Sequence, residues 1–187
     1  MFVALVPPEE AVDDLDAFLD VRRSAARFRW ATPEQFHVTV CFLASVPDRR
    51  LDDLVERLRR AAARRTSFET ALCGGGAFPH VGGARVLWTG LELDEHGRTE
   101  LSRMARGARA AASRAGLVVD GQRFRPHLTV ARLGQPAEVT SWVRLLDGYR
   151  GPRWRATGVE LVASHLGEGP RRRPRYELVD RFPFRPV

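Results

Sequence analysis

Phe36-His37-Val38-Thr39-Val40-Cys41-Phe42-Leu43 and, 90 positions after His37, His127-Leu128-Thr129-Val130-Ala131-Arg132-Leu133 are two versions of one pattern. Both stretches are rich in β-branched or aromatic residues, so both predict strands. On a strand, residues i and i+2 share a face. His37 therefore projects with Thr39, and His127 with Thr129. Val38 and Val40, like Leu128 and Val130, turn the other way into apolar packing.

The same reading extends outward along the chain. Residues 2–6 are a short apolar strand, and Pro8, Glu9 and Glu10 form the first turn of a helix with acids at its positive end. Val12, Leu15 and Leu19 give that helix its inward stripe. Asp48 is the expected N-cap of a second helix, with Leu51, Leu54, Val55, Leu58 and Ala62 at helical spacing. A strand follows over 67–72, which Gly74-Gly75-Gly76 is expected to end. The order then repeats. Residues 85–93 predict a strand, and Leu101, Met104, Ala105, Ala108 and Ala112 a helix closed near Gly116. The second histidine strand comes next, followed by a helix face of Val139, Trp142, Val143 and Leu146. Residues 154–163 and 175–182 are the last strands, with Tyr176, Leu178 and Phe182 alternating against charged neighbours. Thus β-α-β-α-β occurs twice, over roughly 1–73 and 84–187, with one histidine strand in the middle of each copy. The duplication predicts a single domain, 1–187, with two similar lobes about a pseudo-twofold axis. A Gly/Pro/His loop, residues 74–83, separates the copies.

Composition narrows the functional classes. A chain of 187 residues suits one domain. At that length roughly 70% of the extended surface is buried on folding, so neither a disulfide nor a metal is needed to hold a core. Hydrophobic residues at 44% against 28% charged exclude a disordered chain. The net charge is +7, and all 30 basic residues are arginine. Base-composition bias in a genome favours arginine codons. Planar guanidinium forks also suit phosphate, and a positive surface draws in polyanions. Cys41 and Cys73 stand in no metal-type spacing, and two free thiols fit a reducing cytoplasm. The opening Met-Phe-Val-Ala-Leu-Val is too short and wrongly flanked for a signal peptide. No apolar run approaches the ~20 residues of a membrane helix. A cytoplasmic monomer with no membrane partner is expected.

Two imidazoles facing each other across a cleft, each beside a hydroxyl, suit attack on a phosphodiester. One must be neutral to take a proton from the nucleophile, and the other protonated to give one to the leaving oxygen. Histidine serves both roles because its ordinary pKa lies near neutrality. The threonine hydroxyls can donate to the non-bridging oxygens as charge builds there. No metal-ligand set is visible in the sequence, so acid–base chemistry without a cofactor is expected. A single histidine on a strand more often serves packing or solvation. Two copies in a repeated unit change that balance.

These motifs resemble the 2H phosphoesterase superfamily, and within it the RNA 2′,3′-cyclic phosphodiesterases, also called 2′-5′ RNA ligases. The resemblance runs over nearly the whole chain. It includes Phe2-Val3-Ala4-Leu5, Trp30, the first histidine motif, Gly76-Ala77-Phe78-Pro79, Arg85-Val86-Leu87-Trp88, Phe124 to Arg132, Val159 to Ser164 and Tyr176 to Phe184. A glycine common in the family after the Phe-Leu pair is Ala44 here. The resemblance implies a bilobal α+β fold, with antiparallel sheets lining a central cleft and helices outside. It implies hydrolysis of RNA 2′,3′-cyclic phosphate ends, or of small cyclic nucleotides, to a 2′-phosphate. His37 would be the general acid and His127 the general base, although the near-symmetry of the motifs leaves that assignment open from the residues alone. Arg132 would bind phosphate, yet strict alternation turns it away from His127 and Thr129. It reaches the cleft only if the strand ends or bulges near Ala131. Ligation of 2′-5′ ends at the same site, and an RNA-binding module with little catalysis, are the alternatives.

The remaining candidates carry weaker signals. His80 and His96 are expected in exposed turns, and His165 near the cleft. Arg171-Arg172-Arg173-Pro174-Arg175 is either a solvated loop or a guide for the RNA backbone. Trp30 and Phe42 can stack on a base, although core packing is the commoner use of such residues. Gly74-Gly75-Gly76 is no phosphate loop, because no Gly-Lys-Ser/Thr follows it.

Overall fold

Val38, Val40, Leu128 and Val130 are buried, while Thr39 and Thr129 stay half-buried on the other face, so both histidine stretches are strands. The computed structural model describes residues 1–119, 121, 123–169 and 173–187. In chain order the elements are β1 (Phe2–Leu5), α1 (Glu9–Arg23), β2 (Arg29–Trp30), β3 (Val38–Phe42), α2 (Asp48–Ala62), β4 (Phe68–Phe78) and β5 (Ala84–Glu92). They continue as α3 (Glu95–Arg114), β6 (Leu128–Ala137), α4 (Thr140–Asp147), β7 (Arg150–Ala156), β8 (Gly158–His165) and β9 (Arg175–Pro183). Each histidine stands one residue before its strand, not within it.

Among the described residues nine strands form one antiparallel sheet, ordered β7-β4-β5-β6-β3-β1-β8-β9, with the two-residue β2 paired to β6. The fold is α+β, as expected. Two four-stranded arms meet where β3 pairs β6 through one residue pair, Val38 with Leu128. Reading outward from that seam, each arm begins with a histidine strand. The arms exchange pieces of chain: β4 follows α2 but joins the arm of β6, while β8 and β9 join the arm of β3. Chain halves and arms therefore do not coincide.

The helices cover the face that Val38, Val40, Leu128 and Val130 point into. α1 lies on β7, α4 on β4, α3 on β3 and β4, and α2 on α3 and β9. The main core joins that face to Leu15 and Leu19 of α1, Leu54 and Leu58 of α2, and Leu101 and Met104 of α3. Burying such side chains stabilises the fold by roughly 1.5–3 kcal/mol each. Phe2, Ala4 and Val162 form a smaller cluster on the opposite face of β1, covered by Tyr176. Helix ends follow the sequence signals in part. Asp94 Oδ1 accepts from Gly97 N at 2.7 Å, and Leu117 N donates to Ala112 O at 3.0 Å beside Gly116 at φ 76°. Asp48 is the first residue of α2 rather than its N-cap, which is Pro47 and makes no side-chain capping bond.

Two expected boundaries moved, and one expected alternation slipped. Gly74-Gly75-Gly76 does not end a strand, since β4 runs through it to Phe78. Gly74, at φ 70°, makes a bulge where the pairing with β5 shifts. A Cβ on Gly75 would meet Leu146 Cβ of α4 at 2.5 Å, and one on Gly76 would meet the Trp88 ring, so these glycines admit close neighbours. The single strand expected over 154–163 is two strands broken at Thr157. β7 pairs with β4 and β8 with β1 and β9, so the chain changes arms there. In β9 the pairing slips between Leu178 and Asp180. Leu178 is left 45% exposed, while Val179 packs on the core. Among the described residues no helix is long and apolar enough to cross a membrane.

Candidate active site

Both imidazoles are held the same way. His37 Nδ1 lies 2.8 Å from Gln35 O, and His127 Nδ1 lies 2.7 Å from Arg125 O. Each ring donates its Nδ1–H to the carbonyl two residues back, which leaves Nε2 as the working atom. Gln35 is itself fixed in the 3-10 turn Pro33–Gln35, where its side chain accepts from Thr32 N at 3.3 Å. His37 Nε2 is 3.1 Å from Thr39 Oγ1, so the strand's i, i+2 geometry places imidazole and hydroxyl in contact.

Aromatic rings bracket both histidines. Phe2 stacks on His37 with centroids 4.4 Å apart, and Tyr176 meets its edge at 5.5 Å. Phe78 meets His127 edge-on at 4.8 Å, with Trp88 at 6.0 Å. This apolar setting has an electrostatic consequence. Burial lowers the His37 pKa to about 4, against the pull of the Gln35 carbonyl, and positive charge on His127 and Arg132 adds to the fall. His127 is lowered as well, mainly by burial and then by Arg132. Both rings are therefore neutral at pH 7 when the cleft holds no anion.

Matching bulges complete the site. Opposite β1, Val3 pairs with Cys41 and Ala4 with Thr39, so Val40 is the extra residue of β3. Opposite β5, Leu87 pairs with Ala131 and Trp88 with Thr129, so Val130 is the extra residue of β6. Val40 and Cys41 are both buried, as are Val130 and Ala131. The next residue in each strand, Phe42 or Arg132, returns to the threonine side. Arg132 lines one cleft of about 430 Å³ with His37, Thr39, His127 and Thr129. Its guanidinium has no carboxylate within ion-pair distance among the described residues.

The remaining candidates divide between those that fall where the sequence put them, Trp30 and His80 among them, and those that do not. Phe42 is 54% exposed on the cleft wall rather than in the core. Trp30 is core, with Nε1 donating to Ala26 O at 3.2 Å and its ring against Phe28 and Trp142. Arg29 and Tyr176 also line the cleft and carried no motif of their own, and Arg173 of the basic run lines it too. Phe2 was readable, because alternation puts it with Ala4 on the side away from the main core. His80 is exposed in the loop after β4, and His96 bonds Thr66 Oγ1 and Ser67 O at 3.2 Å each. His165 faces Glu177 and Glu168 outside the cleft lining. Of the basic run, Arg171 and Arg172 lie outside the described residues, and Arg175 pairs with Glu168 and Glu177 at 3.0 and 3.1 Å. No cluster of three or more His, Cys, Asp or Glu placed to hold a metal ion occurs among the described residues.

Comparison with known proteins bears on the family and the fold. An RNA 2′,3′-cyclic phosphodiesterase of Thermus thermophilus is 29% identical over 99% of this chain and 90% of its own length. One of Geobacillus stearothermophilus is 30% identical over 72% of this chain, and the match spans only 42% of that relative. The crystal structure of TT0787 of Thermus thermophilus superposes with a TM-score of 0.76 at 28% identity, covering 99% of this chain and 97% of the other. A family model described as the 2′-5′ RNA ligase superfamily matches residues 7–168, and the chain belongs to that superfamily.

Proposed function

We propose that this chain is an RNA 2′,3′-cyclic phosphodiesterase that opens the cyclic phosphate to a 2′-phosphate by metal-independent acid–base catalysis. The observation that carries the reading is the pair of carbonyl-anchored imidazoles, each offering Nε2 to one cleft. His127 Nε2 takes a proton from water as the water oxygen bonds to phosphorus. The bond from phosphorus to the 3′ oxygen breaks, and His37 Nε2 gives that oxygen its proton. This division of roles follows the family resemblance. Thr39, Thr129 and Arg132 donate to the non-bridging oxygens. Exposed Phe42 offers a face on which the terminal base can stack. Each chain carries a whole site, so the reading needs no partner chain. Cys41 and Cys73 are free thiols, which suits the reducing cytoplasm.

The test is an oligonucleotide ending in a 2′,3′-cyclic phosphate, incubated with the protein and EDTA. A 2′-phosphate product is expected. A 3′-phosphate would mean that the other oxygen leaves, and no product would leave only a binding module.

The depressed histidine pKa values make a second expectation. An acid must hold a proton, yet both rings are neutral at pH 7 in the free protein. A phosphate anion beside them favours the charged form and raises the pKa. Proton uptake therefore accompanies substrate binding, and kcat/KM, which reports the free protein, is already falling as pH rises through 7. In an NMR titration the His37 ring moves upward from about 4 when inorganic phosphate is added. A kcat/KM that climbs through pH 8 would rule out His37 as the acid.

A further inference from the structure

His127 borders two cavities. One is the catalytic cleft, and the other, about 610 Å³, lies beyond it between Phe78, Pro79, Arg85, Arg123 and Arg125. We propose that this second cavity carries the RNA strand on the 5′ side of the reacting end, with Arg85, Arg123 and Arg125 on its phosphates.

The inference rests on the function proposed above. A 2′,3′-cyclic phosphate caps the 3′ end of a strand, so all the remaining RNA leaves from the 5′ side of the terminal nucleoside. That strand is a polyanion and takes the exit of opposite charge. Arg85, Arg123 and Arg125 are exposed, and none has a carboxylate within ion-pair distance among the described residues. Among the described residues their guanidiniums make no ion pair, and no acid lines the cavity. The cavity on the opposite flank shares Gln35, Arg173, Pro174 and Tyr176 with the cleft, but Glu34 lies in the field of Arg173, and Glu168 and Glu177 engage Arg175. A phosphate chain meets carboxylates there. A further arginine-rich groove, between α2 and α3, shares no lining residue with the cleft. It supplies a control, since Arg64 and Arg106 within it are exposed and make no ion pair among the described residues.

The experiment compares kcat/KM for a ten-nucleotide RNA ending in a 2′,3′-cyclic phosphate with that for a mononucleoside 2′,3′-cyclic phosphate. The doubly substituted R85E/R123E protein is set beside R64E/R106E, which changes the net charge equally. In R85E/R123E the ten-mer is expected to lose roughly tenfold, with its log–log salt dependence falling by about 0.7 for each phosphate contact removed. The loss is confined to the long substrate, and R64E/R106E keeps both activities. The proposal is overturned if R85E/R123E keeps the ten-mer, if it loses both substrates alike, or if R64E/R106E loses the ten-mer equally. Should the wild type hydrolyse neither substrate, the proposed function fails and the track is still decided. Fluorescence anisotropy with an unreactive 3′-phosphate ten-mer upholds it if R85E/R123E alone binds more weakly, and overturns it otherwise.

Discussion

Alanine at His37 or at His127 lowers turnover of a cyclic-phosphate end by roughly 10²–10⁴-fold, the range that one positioned proton-transfer group contributes. The two losses do not add. A base without its acid, or an acid without its base, leaves the same concerted step unassisted, so the double variant falls little below either single one. Fold and stability survive the change. The Gln35 carbonyl that one ring releases lies at the cleft and the Arg125 carbonyl that the other releases lies at the neighbouring cavity, where water can bond to them. Thermal unfolding near the wild-type midpoint, with lost single-turnover rates, is the expected pairing of results. Alanine at His80 or His165 changes neither, because both rings lie outside the cleft lining. Near-wild-type turnover in either His37→Ala or His127→Ala would falsify the two-histidine mechanism.

Arg132→Ala is expected to lower kcat by roughly 10²–10³-fold, the cost of removing one preorganised donor from a developing anion. Its guanidinium reaches the cleft beside both histidines and has no carboxylate to neutralise it among the described residues. Two parallel N–H donors match two phosphate oxygens, and their bonds strengthen as negative charge builds in the transition state. Arg132→Lys therefore recovers part of the rate, because it keeps the charge and loses the fork. The split between parameters is the informative readout. A fall in kcat places the contact in the transition state, whereas a rise in KM alone assigns Arg132 to ground-state binding. Loss of Arg132 also removes a positive charge that lowers both histidine pKa values, so the pH profile shifts to higher pH.

The histidine pairs were legible because alternation on a strand is a short-range rule. His37 with Thr39, and His127 with Thr129, needed only the two-residue period and the repeated order of elements. Alternation alone did not place Arg132, because a two-residue period turns it the wrong way; the family resemblance named it, on condition of a bulge near Ala131. The signal was present nonetheless: Val130-Ala131 and Val40-Cys41 are adjacent apolar residues where alternation expects one apolar and one polar. Two buried neighbours in a half-buried strand mark an extra residue. The glycines at 74–76 misled for a different reason. Glycine ends strands often, but here it stays in the strand because Trp88 and α4 need its missing side chain. The exchange of β4, β8 and β9 between the arms had no local signal, since pairing partners far apart in sequence are chosen by the sheet as a whole.

The matching bulges have a last consequence. A scaffold built from two like halves has no front or back, and a substrate laid across it fits equally well either way round. The bulges give each half one free position on the cleft wall, and the chain fills them differently, with an apolar ring at Phe42 and a cation at Arg132. That difference gives the cleft a direction. On the proposed function, a strand end that is base on one side and phosphate on the other takes its heading from these two positions, and the heading decides which of the two histidines meets the departing oxygen.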